Sequence, residues 1–200
     1  LSKRDFYRVT SPLEKFGAKF KTNSGKLPVI INGTDLPQSI KYVENKGSAQ
    51  IKSSVMLAAL NTSGETIIKA KKSRTHSELI FKHLKLPIKI KKMKNYDLIK
   101  IKGKTNIKPL NYNIPSDISS SAFLIVLTAL STNSKLKIKN VNINSSRIGI
   151  IKILKLMGVR LNFKNIKKYK GERIADLLIE STKSLKSINC PTKLNSSTID

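Results

Sequence analysis

The sequence predicts an α+β fold in which helices pack on mixed sheets. The chain repeats a unit of helix, hairpin, helix and strand with a period of about 70 residues. Segments in which lysine alternates with an apolar residue, such as residues 88–91 and 136–139, are typical of strands with one buried and one solvated face. Residues 48–60 and 118–130 have a polar start and are then apolar nearly all round, which predicts two buried helices.

The first type of segment begins with serine and a basic residue, continues as an amphipathic helix and ends in a hairpin. It occurs three times, starting at Ser2, Ser73 and Ser146. Gly17 and Gly158 stand where the first and third of these helices would end in a left-handed cap before a strand. The three segments therefore predict three helix–hairpin units.

The second type of segment is an apolar helix followed by a strand. Residues 48–60 align in register with residues 118–130, and predicted strands follow at residues 65–70 and 135–140. Asp117, before the second of these helices, is a residue type that caps a helix N-terminus. A stretch rich in proline and asparagine precedes Asp117 and predicts a crossover between two lobes.

The composition limits the classes of function. The net charge of +27 invites a nucleic-acid interpretation, but lysine far outnumbers arginine and is spread along the whole chain, so we expect no nucleic-acid partner. We also expect no membrane partner, because no apolar run is long enough to cross a bilayer. Cys190 is the only cysteine, which excludes an intrachain disulfide and, with no recognisable signal peptide, predicts a cytoplasmic protein.

The start of the first apolar helix predicts an anion site. Free N–H groups and the helix dipole favour phosphate or carboxylate at a helix N-terminus. Ser48 and Gln50 add hydroxyl and amide donors there, and Lys52 adds positive charge. The alternative is that Ser48 only caps the helix and that Lys52 belongs to a solvated face.

Several ordered motifs occur along the chain. They include Ser-Ala-Gln-Ile-Lys-Ser at residues 48–53, Ser-Arg-Thr-His-Ser-Glu at residues 73–78, Ile-Pro-Ser-Asp at residues 114–117 and Ser-Thr-Ile-Asp at residues 197–200. Together they resemble the 5-enolpyruvylshikimate-3-phosphate synthase family over essentially the whole chain. The resemblance implies an inside-out α/β barrel of repeated βαβαββ units in two lobes. It assigns residues 1–113 to the first lobe and residues 114–200 to the second.

The resemblance also implies a reaction. The family transfers the enolpyruvyl group of phosphoenolpyruvate to the 5-hydroxyl of shikimate 3-phosphate and releases phosphate, by addition and elimination through a tetrahedral intermediate. This is a step of aromatic amino-acid biosynthesis, and it needs no metal or organic cofactor. We expect a monomer when the protein is full length. Because the family's Lys-Ser segment and its later basic residues are absent here, we expect this chain alone to be an inactive fragment.

By the same resemblance, Asp200 is the catalytic residue, which accepts the proton of the attacking hydroxyl and holds the sugar ring. A carboxylate can act in this way when its surroundings raise its pKa. Arg4 would bind phosphoenolpyruvate through its planar guanidinium group. The family's Pro-Met after this arginine is replaced here by Asp5-Phe6.

The remaining predicted residues bind substrate. The resemblance implies that Ser48 and the backbone N–H of Ala49 hold the 3-phosphate, and that Gln50 lies between the two substrates. Ser73 and Arg74 would also face the phosphate. The same Ser-Arg pair recurs in the other lobe, so it could instead be a structural feature of the repeat.

Two alternatives remain open at this stage. The related enolpyruvyl transferase that acts on UDP-N-acetylglucosamine shares the fold, but it uses a cysteine in its first lobe, and no cysteine precedes Cys190 here. A basic RNA-binding or RNA-processing protein is the other alternative. It would be marked by arginine clusters and stacking aromatic residues.

Overall fold

The computed structural model describes residues 3–198. The helices have these bounds: α1 (Tyr7–Glu14), α2 (Ala49–Leu60), α3 (His76–His83), α4 (Ile118–Leu130), α5 (Gly149–Leu156) and α6 (Asn195–Thr198). The strands have these bounds: β1 (Lys19–Asn23), β2 (Lys26–Asn32), β3 (Lys41–Glu44), β4 (Glu65–Lys71), β5 (Ile88–Lys92), β6 (Tyr96–Lys102), β7 (Lys135–Asn142), β8 (Arg160–Tyr169) and β9 (Glu172–Glu180). The predicted α+β class is confirmed.

The described residues form two compact units. The first contains residues 3–73 and 81–108, and the second contains residues 74–80 and 109–198. The first unit holds the hairpin β1–β2 and a four-stranded sheet of order β3-β4-β6-β5. The second holds a three-stranded sheet of order β7-β9-β8.

The two larger sheets repeat one topology. In the first, β3 pairs parallel with β4, β4 pairs antiparallel with β6, and β5 completes the hairpin. In the second, a parallel bridge between Ser116 and Val141 stands in the place of β3. Strands β7, β9 and β8 then follow in the places of β4, β6 and β5. Each repeat is therefore a βαβαββ unit, which has one strand more than the element order read from the sequence.

The predicted capping roles of Asp117, Gly17 and Gly158 are confirmed. Asp117 accepts hydrogen bonds from the N–H groups of Ser119 and Ser120 at the start of α4. Gly17 and Gly158 have φ of +103° and +94°, the left-handed conformation that glycine adopts without a Cβ clash. The two apolar helices begin and end within one residue of the predicted ranges.

The burial of the apolar helices differs from the prediction. Helix α2 buries Ile51, Val55 and Met56 in its unit, and α4 buries Ile125 and Ala129 against the second sheet. On the opposite side of α4, large side chains are exposed over more than half of their surface. These side chains are Phe123, Leu124, Leu127 and Leu130. The expectation that α4 is buried all round is wrong for residues 3–198, because nothing in this part of the chain covers that face.

Candidate functional site

Ser48 is the N-cap residue of α2. Its Oγ accepts a hydrogen bond from the Ile51 N–H at 3.3 Å, and its carbonyl oxygen accepts one from the Lys52 N–H at 3.1 Å. Because Oγ accepts through a lone pair, its own hydrogen can still be donated to a ligand. The N–H groups of Ala49 and Gln50 lie in the first turn, where an α-helix offers no carbonyl acceptor. Ser48, Ala49 and Gln50 thus present donors at one helix end.

The environment of Lys52 rules out one of the two sequence interpretations. Its side chain is 1% exposed, so it does not belong to a solvated face. It lies four residues after Ser48, on the same helix side as the buried Val55 and Met56. The contribution of its positive charge to the anion site stays a prediction.

A cavity of about 1060 Å³ in the first unit brings together two of the predicted residues, Arg4 and Gln50. Arg8 and Lys46 also line it. Asp5 lies in the same cavity wall, and its Oδ1 accepts a hydrogen bond from the Tyr7 N–H at 2.8 Å at the start of α1. Three cationic side chains and one amide in a cavity of this kind favour a small anionic ligand.

The structure does not place Ser73 or Arg74 in the lining of this cavity. Ser73 has a buried Oγ with no hydrogen-bond partner among residues 3–198. Arg74 is the first residue of the second unit in chain order. Asp200, the predicted catalytic residue, lies outside the described residues, and its role stays a prediction.

A polar cluster in the second unit was missed by the sequence interpretation. His76 Nδ1 lies 2.5 Å from Glu172 Oε1, and Asn144 Nδ2 donates to Glu172 Oε2 at 3.2 Å. Asn144 also exchanges hydrogen bonds with the Thr75 hydroxyl, at 3.3 and 3.4 Å. His76 and Glu172 are 96 residues apart in the chain, so no local sequence pattern predicts their contact.

The cavity beside this cluster has a volume of about 420 Å³ and is lined by Tyr112, Asp117 and Arg147 besides His76 and Glu172. Burial, followed by the charge of Glu172 and the nearby Tyr169, raises the pKa of the Tyr112 phenol. The phenol therefore stays protonated at neutral pH and can act there as a hydrogen-bond donor.

Asp117 combines a capping role with an ion pair. Its Oδ1 lies 3.1 Å from Arg147 Nη2, and Arg147 also donates to the Ser119 hydroxyl. Burial alone would raise the pKa of Asp117. Hydrogen bonds from the Ser120 hydroxyl and N–H, the Arg147 charge and the Ser119 N–H outweigh burial and hold that pKa below its ordinary value.

Within residues 3–198, no group of three or more histidine, cysteine, aspartate or glutamate side chains is arranged to hold a metal ion. None of the helices in this part of the chain has the length and hydropathy required to cross a membrane.

The family model for EPSP synthase (3-phosphoshikimate 1-carboxyvinyltransferase) matches residues 1–193. The chain belongs to the EPSP synthase family. The matched residues include parts of both compact units.

Curated relatives of the EPSP synthase family agree with this membership. The chain is 41% identical to the 3-phosphoshikimate 1-carboxyvinyltransferase of Ruthia magnifica subsp. Calyptogena magnifica, and 38% identical to that of Hydrogenovibrio crunogenus. Each alignment covers 100% of this chain and 45% of the relative. The chain thus spans less than half the length of the curated relatives it matches.

Solved structures confirm the fold. The EPSP synthase of Acinetobacter baumannii superposes with a TM-score of 0.81 and 34% identity over 98% of this chain and 44% of that chain. The enolpyruvyl transferase NikO of Streptomyces tendae superposes with a TM-score of 0.65 at 12% identity, over 93% of this chain and 44% of that chain, which shows the shared fold alone. The sheets formed by residues 3–198 are open, and none of them closes into a barrel.

Proposed function

We propose that the complete protein containing this chain transfers the enolpyruvyl group of phosphoenolpyruvate to the 5-hydroxyl of shikimate 3-phosphate. The observation that carries this proposal is the end of α2, where Ser48 caps the helix and leaves its hydroxyl hydrogen available. It is supported by the cavity that Gln50 shares with Arg4, Arg8 and Lys46. These groups provide donors and positive charge for two anionic substrates.

In this proposal the 3-phosphate of the acceptor binds at the helix end. The Ser48 hydroxyl and the Ala49 N–H donate to phosphate oxygens, and the α2 dipole favours their negative charge. Ser73 has a buried hydroxyl without a partner among residues 3–198, and Ser73 and Arg74 would supply further donors. Gln50 would lie between the two substrates.

Arg4 would bind phosphoenolpyruvate through its planar guanidinium group. Asp200 would accept the proton of the 5-hydroxyl as its oxygen bonds to C2 of phosphoenolpyruvate, while C3 takes up a proton. The tetrahedral intermediate then loses a C3 proton and expels inorganic phosphate, which leaves the enolpyruvyl ether. We infer further that the protein acts in the cytoplasm as a monomer on small molecules, without nucleic-acid or membrane partners.

The test is phosphate release by the complete protein with phosphoenolpyruvate and either shikimate 3-phosphate or UDP-N-acetylglucosamine. We expect release only with shikimate 3-phosphate, and its loss in Asp200→Ala. Asp35→Ala removes an exposed aspartate and serves as the control that should retain activity. Release only with the nucleotide sugar would overturn the acceptor, and release with neither would favour the RNA-binding alternative.

A further inference from the structure

Glu44 is a buried carboxylate at the end of β3, and it binds the loop that leads into α2. Its side chain is 2% exposed. Its Oε1 accepts hydrogen bonds from the Lys46 N–H at 2.9 Å and the Ser48 N–H at 3.1 Å, and its Oε2 accepts one from the Gly47 N–H at 3.0 Å. Three backbone donors on one carboxylate form strong, charge-assisted hydrogen bonds that fix the loop conformation.

Hydrogen bonds fix the N–H, the carbonyl oxygen and the Oγ of Ser48. The Ser48 N–H is bonded to Glu44, its carbonyl oxygen to the Lys52 N–H, and its Oγ to the Ile51 N–H. Gly47 has φ of +71°, a conformation that turns the chain so that successive N–H groups face the carboxylate. The position of the Ser48 Oγ is therefore set by contacts that Glu44 completes.

We propose that Glu44 is a positioning residue for the acceptor's phosphate group, an inference that rests on the proposed function. Its carboxylate occupies the Ser48 N–H, so the phosphate is left with the Ser48 hydroxyl and the N–H groups of the first turn. Its negative charge repels a second anion at the same helix N-terminus, because like charges that lie close together disfavour each other. Any gain in phosphate binding from the carboxylate must therefore come from the loop conformation that it fixes. This positioning effect and the opposing charge effect can be measured separately.

The experiment measures kcat and both KM values in the complete protein for Glu44→Ala and Glu44→Gln. Glu44→Ala leaves three backbone N–H groups without their acceptor. We expect about a tenfold rise in KM for shikimate 3-phosphate, with KM for phosphoenolpyruvate changed less than about threefold. Glu44→Gln retains one acceptor oxygen for the Lys46 and Ser48 N–H groups. It loses the charge and sets an NH2 group against the Gly47 N–H, so we expect it to recover part of the affinity for shikimate 3-phosphate.

Asp176→Ala is the matched control, because Asp176 is a largely buried carboxylate that also accepts a backbone N–H, in the other unit. We expect it to lower stability and leave both KM values unchanged. Equal rises of both KM values in Glu44→Ala and Asp176→Ala would show a purely structural role and overturn the proposal. A lower KM for shikimate 3-phosphate in both Glu44 variants would show that charge alone acts, and would overturn it as well.

The proposed function and this inference fail in different ways. If the wild-type protein releases no phosphate with shikimate 3-phosphate, the proposed function fails and this inference fails with it. If the wild type is active and Glu44→Ala shows no selective rise in that KM, only the positioning role is overturned.

Discussion

Asp176, on the central strand β9, accepts a hydrogen bond at 3.1 Å from the backbone N–H of Asn140 on the neighbouring strand β7. On the other side, Asn165 Nδ2 donates to the same carboxylate at 2.9 Å. Asn140 and Asn165 both have φ of +51°, and each stands where the register of its strand shifts. Asp176 therefore joins two β-bulges across the strand between them.

The first prediction is that Asp176 makes the stability of the fold depend on pH in the acidic range. The Asn140 N–H, the Asn165 amide and the Lys137 ammonium group lower the pKa of Asp176 from 3.8 to about 2. Because the folded pKa lies below the unfolded one, its contribution is complete above about pH 4 and is lost as pH falls through 2. We expect Asp176→Asn to lower Tm clearly at pH 7 and very little at pH 2, as measured by thermal unfolding.

Glu180→Gln is the control for this measurement. Glu180 lies on the same strand and pairs with Lys135 at 3.2 Å, but both side chains are well exposed. Exposed pairs contribute little, so the Tm difference from wild type should be small at both pH values. A loss of Tm in Asp176→Asn that is as large at pH 2 as at pH 7 would contradict the role of the charge.

Much of the fold could be predicted from local sequence. The helices α2 and α4 were found because each joins an apolar run to a capping residue, Ser48 or Asp117. Strand β3 was missed because it has four residues and only two apolar side chains, too short a run for an alternation to be read. The Ser116–Val141 bridge has no strand pattern at all, because one residue pair forms it.

The candidate site was predictable only where its residues are close in sequence. The cluster at Ser48–Gln50 follows from helix-end chemistry. Glu44 precedes it by four residues, yet its role depends on the turn at Gly47, which brings three N–H groups onto one carboxylate. The contact of Glu172 with His76 depends on folding of the second unit, and the roles of Asp200 and Arg4 still stand as predictions.

The second prediction concerns the cap of α4. Asp117→Ala removes the acceptor for the Ser119 and Ser120 N–H groups, and loss of such a cap costs about 1 kcal/mol of unfolding free energy. Asp117→Asn retains a capping oxygen and loses the attraction to Arg147. We expect urea unfolding to show a clearly smaller loss for Asn than for Ala. Equal losses would assign the effect to the ion pair.

The third prediction concerns Glu172, whose carboxylate is almost fully buried beside His76 and Asn144. Glu172→Ala removes one of the two acceptors of the Asn144 NH2 group and the partner of His76, and should lower the free energy of unfolding by about 2 kcal/mol. Glu172→Gln retains one acceptor oxygen and should cost about half as much. The measurement is urea unfolding at pH 7. Equal stability of wild type and Glu172→Ala would show that the cluster adds nothing to the fold.

The fourth prediction concerns the exposed apolar face of α4, defined above by Phe123, Leu124, Leu127 and Leu130. Contiguous apolar surface of this kind promotes self-association. In the 200-residue chain, we expect Phe123→Lys with Leu127→Lys to reduce self-association in sedimentation velocity and to change the free energy of unfolding by less than about 0.5 kcal/mol. Ile125→Ala, on the buried face of the same helix, is the control and should cost about 3 kcal/mol. A large loss of stability in the double lysine variant would mean that the face is packed within this chain, because only buried side chains incur such a cost.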